Sequence, residues 1–294
     1  MGQLLWFGVL VTIGYVFKCV FQASGSKLYQ KLQKVTWLLL LSLILLQFWS
    51  HGFVLANLSL AALGAVLTVF PAALAAWLFR ESSMGRYLLA YSTYGGGNRG
   101  VLAISMLAPS LLSDFLIMDL GIFLSLILLF PIAVQRFERV VVSGFFANVQ
   151  KMKPVLLPIF LIVVGSVLHH QSVLMSIAQW MFPWVKSVLF VLVSVSLGLS
   201  LSFDLSSFVS DVPRVFLARV FGMLLPLMLL CYVVFPRVWF EQFAPLMGIA
   251  ALLPVSSFAP QFVHSDELKA WLSNQVVLSS MLFVVLMVLA MLVF

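Results

Sequence analysis

Ten long apolar runs follow one another along this chain, each about long enough to cross a lipid bilayer. A membrane-spanning helix needs about 20 mainly apolar residues. Lipid offers no partners to backbone N–H and C=O groups, so a crossing segment must satisfy them as a helix. The pattern predicts an all-α integral membrane protein with ten transmembrane helices. The runs lie at 3–21, 36–53, 58–79, 87–108, 114–134, 154–170, 180–203, 213–235, 242–263 and 270–294.

The composition agrees with lipid as the surrounding solvent. Charged residues make up only 9% of the 294 positions, and the mean hydropathy is +1.17. A soluble domain carries about a quarter charged residues, because it needs a hydrated surface. The net charge of +7 does not indicate a nucleic-acid partner, since the basic residues lie in short loops rather than on one continuous face.

The distribution of basic residues predicts the orientation in the membrane. Cytoplasmic loops of membrane proteins are enriched in Lys and Arg. With both termini outside, thirteen of the sixteen Lys and Arg residues fall in inner loops, two fall in outer loops, and Arg99 lies inside a span. The inner set is Lys18, Lys27, Lys31, Lys34, Arg80, Arg86, Arg136, Arg139, Lys151, Lys153, Arg214, Arg219 and Lys269.

The longest polar stretch divides the spans into two sets of five. We therefore expect a first repeat over 1–135, a cytoplasmic linker over 136–153 and a second repeat over 154–294. An odd number of helices per repeat inverts the second repeat relative to the first, as in many secondary transporters. Gly165 follows Gly14 by 151 residues, and both lie in the first span of their repeat.

Span four carries a polar, glycine-rich segment at membrane depth. Glycine costs about 1 kcal/mol relative to alanine in a helix interior, which makes the run Gly95–Gly100 expensive to hold helical. Close helix packing would explain the glycines, but not an adjacent Asn98 and Arg99. A cationic side chain at that depth costs at least about 2.5–3.5 kcal/mol and usually marks a pathway or an ion pair. We predict that Gly97–Gly100 is non-helical.

Span nine contains two prolines six residues apart, Pro254 and Pro260, with Ser256 and Ser257 between them. Each proline removes a backbone donor and clashes with the preceding turn. A simple proline kink is the alternative interpretation. The serines, with Gln261 just beyond, favour an unwound segment that crosses span four near the middle of the membrane.

Two broken helices would place two helix N-termini at the centre of the protein. Such ends carry about half a positive charge and unpaired N–H donors, which suit an anion. Asp119 is a candidate charge partner of Arg99 or an ordinary surface acid, while Asn274 and Gln275 either line the cavity or bond neighbouring helices. The predicted substrate-binding residues are Gly97, Asn98, Arg99, Gly100, Pro254, Ser256, Ser257 and Gln261.

Several site types are missing from the sequence. It has no phosphate-binding glycine loop followed by Lys and Ser or Thr. It has no serine nucleophile partnered by a histidine. The adjacent His169 and His170 lack a second cluster of metal ligands. We expect no enzymatic activity, no cofactor and no metal.

The motifs together resemble the auxin efflux carrier family, which includes the plant PIN-formed proteins and bacterial organic-acid permeases. Its span four carries Asn-x-Gly followed by a small residue and a proline, and its span nine opens with Leu-Pro. Arg99 is an unusual middle residue, and Ser105 replaces the usual proline. The matching positions are Asn98, Gly100 and Ala103, Leu253, Pro254 and Pro260, Asp119 to Gly121, and Leu197 to Leu199.

The resemblance implies a bacterial inner-membrane transporter with crossed helices four and nine in a transport domain. It also implies a scaffold of spans one, two, six and seven, frequently joined into a homodimer. The expected function is export of small organic anions by alternating access. A sodium-coupled symporter of the bile acid type and a membrane sensor without transport are the alternatives.

The predicted orientation is testable by cysteine labelling in intact cells. In a background with Cys19 and Cys231 replaced by serine, His51→Cys should react with an impermeant maleimide, because its loop faces outward. Ser143→Cys should react only after permeabilisation, because the 136–153 linker faces the cytoplasm. Labelling of Ser143→Cys in intact cells would show that the charge distribution misassigns the sides.

Overall fold

A computed structural model describes residues 2–53, 57–78, 97–138, 153–169, 172–201, 225–234, 237–255 and 265–293. These residues are almost entirely helical and contain no strand, which confirms the all-α prediction. A short 3-10 turn, Pro109–Leu111, precedes α5. The α-helices are α1 Gly2–Val20, α2 Gln22–His51, α3 Asn57–Leu78, α4 Gly97–Leu107, α5 Leu112–Glu138, α6 Lys153–Leu168, α7 Ser172–Ser200, α8 Leu225–Val234, α9 Arg237–Leu252 and α10 Asp266–Val293.

Helix α2 begins earlier than predicted. The lysine-rich segment 22–35 was expected to form a loop, but it is the first part of α2. Its Lys, Gln and Leu residues are good helix formers and no proline interrupts them. The charge rule identifies the side of the membrane, not the backbone conformation, so the prediction of a loop is wrong here.

Among the described helices, three are long and apolar enough to cross a membrane, over Lys27–His51, Met175–Ser200 and Lys269–Leu289. Shorter apolar helices accompany them. Large apolar side chains also cover much of the outer surface, including Trp6, Trp180 and Trp184, which are 66%, 69% and 64% exposed. Soluble monomers rarely expose apolar patches of more than a few hundred Å². These features suit a protein that contacts lipid.

The chain folds into two compact units that each draw on both halves of the sequence. Unit one consists of residues 1–60 and 143–201, and unit two of residues 61–142 and 202–294. Unit one thus contains α1, α2, α6 and α7. These helices correspond to spans one, two, six and seven, the spans that the resemblance assigns to a scaffold.

Glycines allow direct backbone contact between α1 and α7 in unit one. A Cβ atom added to Gly14 would overlap the Val195 carbonyl and lie 3.1 Å from the Leu199 nitrogen. A Cβ atom added to Gly198 would meet the backbone of Val11 in the same way. Such small-residue contacts let helices pack closely where no hydrophobic effect drives association in lipid.

A similar contact joins α6 to α2. A Cβ atom on Gly165 would lie 2.8 Å from the Leu45 carbonyl oxygen and 3.0 Å from the Trp49 nitrogen. Further along, Nδ1 of His169 donates a hydrogen bond to the Trp49 carbonyl oxygen at 3.0 Å, and the ring lies against Gly52. Because these contacts advance together along both helices, α2 and α6 run in the same direction.

The α1 and α7 pair is also parallel. Gly14 lies against Val195, and one turn later the Lys18 ammonium donates to the carbonyl oxygen of Leu201, just beyond the end of α7. That carbonyl is one of the acceptors that a helix end leaves without an intrahelical partner. The lysine therefore caps α7 and fixes its end beside α1.

Within unit two, α3 and α5 approach each other through two glycines. A Cβ atom added to Gly64 would overlap the Met118 carbonyl. A Cβ atom added to Gly121 would lie 2.7 Å from the Ala61 carbonyl carbon. Gly121 belongs to the Asp-x-Gly motif of span five, and its packing gives that motif a structural role.

The backbone contact at Gly14 predicts a difference between two glycines of the same helix. Gly14→Ala forces α1 away from α7 and should destabilise the protein by about 1–3 kcal/mol, as overpacking does. Gly8 has open space around its Cα atom, so Gly8→Ala should be neutral or stabilising by up to about 1 kcal/mol. Thermal unfolding of the purified variants compares them, and equal melting temperatures would contradict the close contact.

Candidate functional site

The glycine-rich segment of span four forms the first described turn of α4. We predicted Gly97–Gly100 to be non-helical, whereas the structure places Gly97, Asn98, Arg99 and Gly100 in the helix Gly97–Leu107. The prediction was wrong because helix propensity is a weak preference that tertiary packing overrides. The part of span four before Gly97 lies outside the described residues.

Gly100 packs between α5 and the end of α9. A Cβ atom on Gly100 would lie 2.7 Å from Cε1 of Phe115 and 3.3 Å from Cδ2 of Leu253. Only glycine leaves room for the Phe115 ring at this position, and Phe115 is fully buried. The contact with Leu253 brings together the span-four and span-nine segments that the sequence singled out.

Helix α9 ends at Leu252, and Leu253, Pro254 and Val255 are not helical. Pro254 has no N–H and disfavours helical backbone at the preceding residue. Residues 253–255 are therefore non-helical, as predicted at Pro254. Ser256, Ser257 and Gln261 lie outside the described residues.

The backbone amide after Pro254 finds its partner on α10. Val255 N–H donates to Ser279 Oγ at 3.0 Å, and both residues are fully buried. A buried backbone donor must be paired, since leaving it unpaired costs about as much as a lost hydrogen bond. Ser279 therefore replaces the carbonyl that a continuous α9 would have supplied.

The hydroxyl hydrogens of Ser279 and Ser280 point to one acceptor. Both hydroxyls donate to the carbonyl oxygen of Val276, Ser279 at 3.3 Å. Their remaining capacity is as hydrogen-bond acceptors. Neither serine was predicted from the sequence, although a spacing of four residues places Ser279 on the same helix face as Gln275.

The two amides of α10 have different environments. Asn274 is exposed, whereas Gln275 is buried with 2% of its surface exposed. Within the part of the chain that the structure describes, Oε1 of Gln275 has no hydrogen-bond partner. Gln275 therefore bonds none of the described neighbouring helices through this oxygen, and Asn274 does not face the interior.

Two charged side chains lie inside unit two. Arg99 on α4 is half-buried, and Asp119 on α5 is buried with 9% of its surface exposed. The interpretation of Asp119 as an ordinary surface acid is therefore wrong. Each of the two residues has an interaction partner in the structure.

Comparison of the chain with models of protein families and with curated protein sequences gives no match. The resemblance to the auxin efflux carriers rests on the short motifs alone. A function must therefore be argued from the chemistry of the residues around α4, the end of α9 and α10.

The bond between Val255 and Ser279 predicts a specific loss of stability. Ser279→Ala leaves the Val255 N–H buried without an acceptor and should cost about 1–3 kcal/mol. Ser273 on the same helix is exposed and bonds only the Lys269 carbonyl of its own helix, so Ser273→Ala is the matched control. Melting temperatures of the two purified variants test this, and equal values would contradict the pairing.

Proposed function

We propose that this protein is a secondary transporter that exports small organic anions by alternating access. The observation that carries the proposal is the contact between the end of α9 and the first described turn of α4. Leu253, just beyond the end of α9, lies against Gly100 in α4. Discontinuous helices that meet inside a membrane protein are typical of transporter substrate sites.

The chemistry of this meeting point favours an anion. The described part of α4 begins at Gly97. Taken as the N-terminal end of the helix, this turn would carry partial positive charge and unpaired backbone N–H groups. Arg99 adds a full positive charge in the same turn. Arginine presents five donors in a planar fork that matches a carboxylate, so it can hold a structural partner and also bind a substrate. A small carboxylate fits this arrangement.

The packing of unit one supports an inverted-repeat topology of ten spans. Gly14 contacts Val195 and Leu199 as Gly165 contacts Leu45 and Trp49. Gly165 follows Gly14 by 151 residues, and the two α7 residues follow their α2 equivalents by 150. Helices α1 and α6 thus make equivalent contacts to α7 and α2, as two related repeats would.

The parallel helix pairs are also consistent with the proposed topology. Helices separated by an even number of membrane crossings must run in the same direction. In the ten-span arrangement this holds for α1 with α7 and for α2 with α6, the two pairs that run parallel in unit one. On this proposal both termini lie outside the inner membrane of a bacterium.

The two units suit alternating access, which needs a moving transport domain and a fixed scaffold. Every described residue of the candidate site belongs to unit two, which we propose as the moving transport domain. Unit one, held by backbone contacts at its glycines, would be the scaffold and the surface for a homodimer. Rigid-body movement of one bundle against another is the usual basis of alternating access.

The role of Arg99 is testable by substitution. Arg99→Gln should weaken binding of small dicarboxylates about ten- to a hundredfold, because a charge-assisted hydrogen bond contributes about 1.5–3 kcal/mol. Arg99→Lys should recover only part of the affinity, since a point charge does not reproduce the fork. Arg237→Gln is the control, because Arg237 is exposed and pairs with Glu241 on the surface.

Affinity and melting temperature should be measured on the same samples of each variant, with flux into proteoliposomes in sodium and in potassium buffers. Loss of affinity with little change in melting temperature is the expected result for Arg99→Gln. Unchanged affinity in a destabilised protein would place Arg99 in the structural core instead. Strict sodium dependence of flux would favour the symporter, and binding without flux would favour the sensor.

A further inference from the structure

The side-chain oxygen of Gln275 is a hydrogen-bond acceptor that the described part of the chain leaves unused. Gln275 is 2% exposed, and within the described residues its Oε1 atom has no hydrogen-bond partner. Buried polar atoms in native proteins are nearly always paired, so an unpaired one calls for a water, an ion or a ligand. This oxygen lies on α10, which packs against α4 in the interior of unit two.

The neighbouring hydroxyl groups on α10 offer acceptors as well. The hydrogens of Ser279 and Ser280 are directed to the Val276 carbonyl, and Ser279 also accepts the Val255 N–H. The remaining lone pairs of Ser280 and the oxygen of Gln275 can only accept. This part of α10 therefore requires a ligand group that donates hydrogen bonds.

The acceptors of α10 lie close to the donors proposed for the anion. Ser279 is bonded to Val255, and Leu253, two residues earlier, lies against Gly100 of α4. Gln275 is one helical turn from Ser279, a step of about 6 Å along α10. That step is comparable to the length of a small carboxylic acid of a few carbon atoms.

We propose that Gln275 is a specificity-determining residue, whose amide oxygen accepts a hydrogen bond from a hydroxyl or amino group on the substrate. The inference rests on the proposed function. Arg99 and the first turn of α4 take the carboxylate, while Gln275 recognises the donor on the carbon skeleton. The preferred anions are therefore hydroxy or amino acids rather than plain carboxylic acids.

The size of the preference follows from the bond that a plain acid cannot make. A substrate that lacks the donor leaves the amide oxygen unpaired, and sites built to bind a hydroxyl reject analogues without it. A single neutral hydrogen bond corresponds to a factor of about ten in affinity. We expect malate to bind about tenfold more tightly than succinate, and lactate about tenfold more tightly than propionate.

The test measures these two pairs of acids on the purified full-length protein by calorimetry. Gln275→Met keeps the length of the side chain and removes the amide, so the affinity ratio within each pair should fall to about one. The affinity for the hydroxy acid should fall, while the affinity for the plain acid should be almost unchanged. Asn274→Met is the matched control on the exposed face of the same helix and should keep the ratio.

A second variant guards against a folding defect. Gln275→Glu retains an acceptor oxygen at the same position and should preserve the preference for the hydroxy acid, although its charge weakens the binding of both acids. Equal affinities within each pair in the unchanged protein would overturn the inference. So would a preference that survives Gln275→Met.

The binding measurements should also be made with and without sodium, because a carbonyl-type oxygen also suits a monovalent cation. If Gln275→Met abolishes a sodium dependence of binding and leaves the hydroxyl preference intact, Gln275 is a cation ligand and the inference is wrong. Plain acids that bind through Arg99 with no hydroxyl preference would overturn this inference and leave the proposed function intact. If none of the four acids binds, both the proposed function and the inference are overturned.

Discussion

The arrangement of unit two depends on one backbone amide that has lost its helical partner. Pro254 ends α9, and Val255, whose N–H then lacks a helical partner, is fully buried. An unpaired amide in such surroundings is costly, so the position of α10 is constrained by the need to present Ser279 to it. The same constraint holds Leu253 against Gly100 and so sets the approach of α9 to α4.

Unit one is organised by a different constraint, the close approach of backbones at glycine. Helices in lipid gain no hydrophobic energy by associating, so van der Waals contact and short-range polar interactions must hold them together. Gly14, Gly165 and Gly198 allow that contact, and Lys18 and His169 add hydrogen bonds to main-chain carbonyls at the helix ends. Contacts to the main chain therefore join α1 to α7 and α2 to α6 in unit one.

The sequence predicts the features that depend on local chemistry. The order of the helices follows from apolar runs, and the end of α9 follows from the covalent structure of proline at position 254. The helical start of α2 was not predicted because lysine residues occur both in loops and on exposed helix faces, so they do not distinguish the two. The helical state of Gly97–Gly100 was missed because it depends on packing around Gly100 by Phe115, a residue from another helix.

The polar residues of α10 show where sequence reasoning reaches its limit. Asn274 and Gln275 are adjacent amides that the sequence could not separate, because their roles depend on which helix face turns inward. The role of Ser279 depends on its hydrogen bond with Val255, which lies 24 residues away in the sequence. No local sequence pattern predicts such a contact.

If the proposed function is correct, the distribution of donors and acceptors around α4 and α10 constrains the ligand. Arg99 and the first turn of α4 supply donors and positive charge, whereas Gln275 and Ser280 supply acceptors. A plain anion would satisfy only the first set and leave the second desolvated. On that proposal, the buried site is best satisfied by a molecule that carries both a carboxylate and a hydrogen-bond donor.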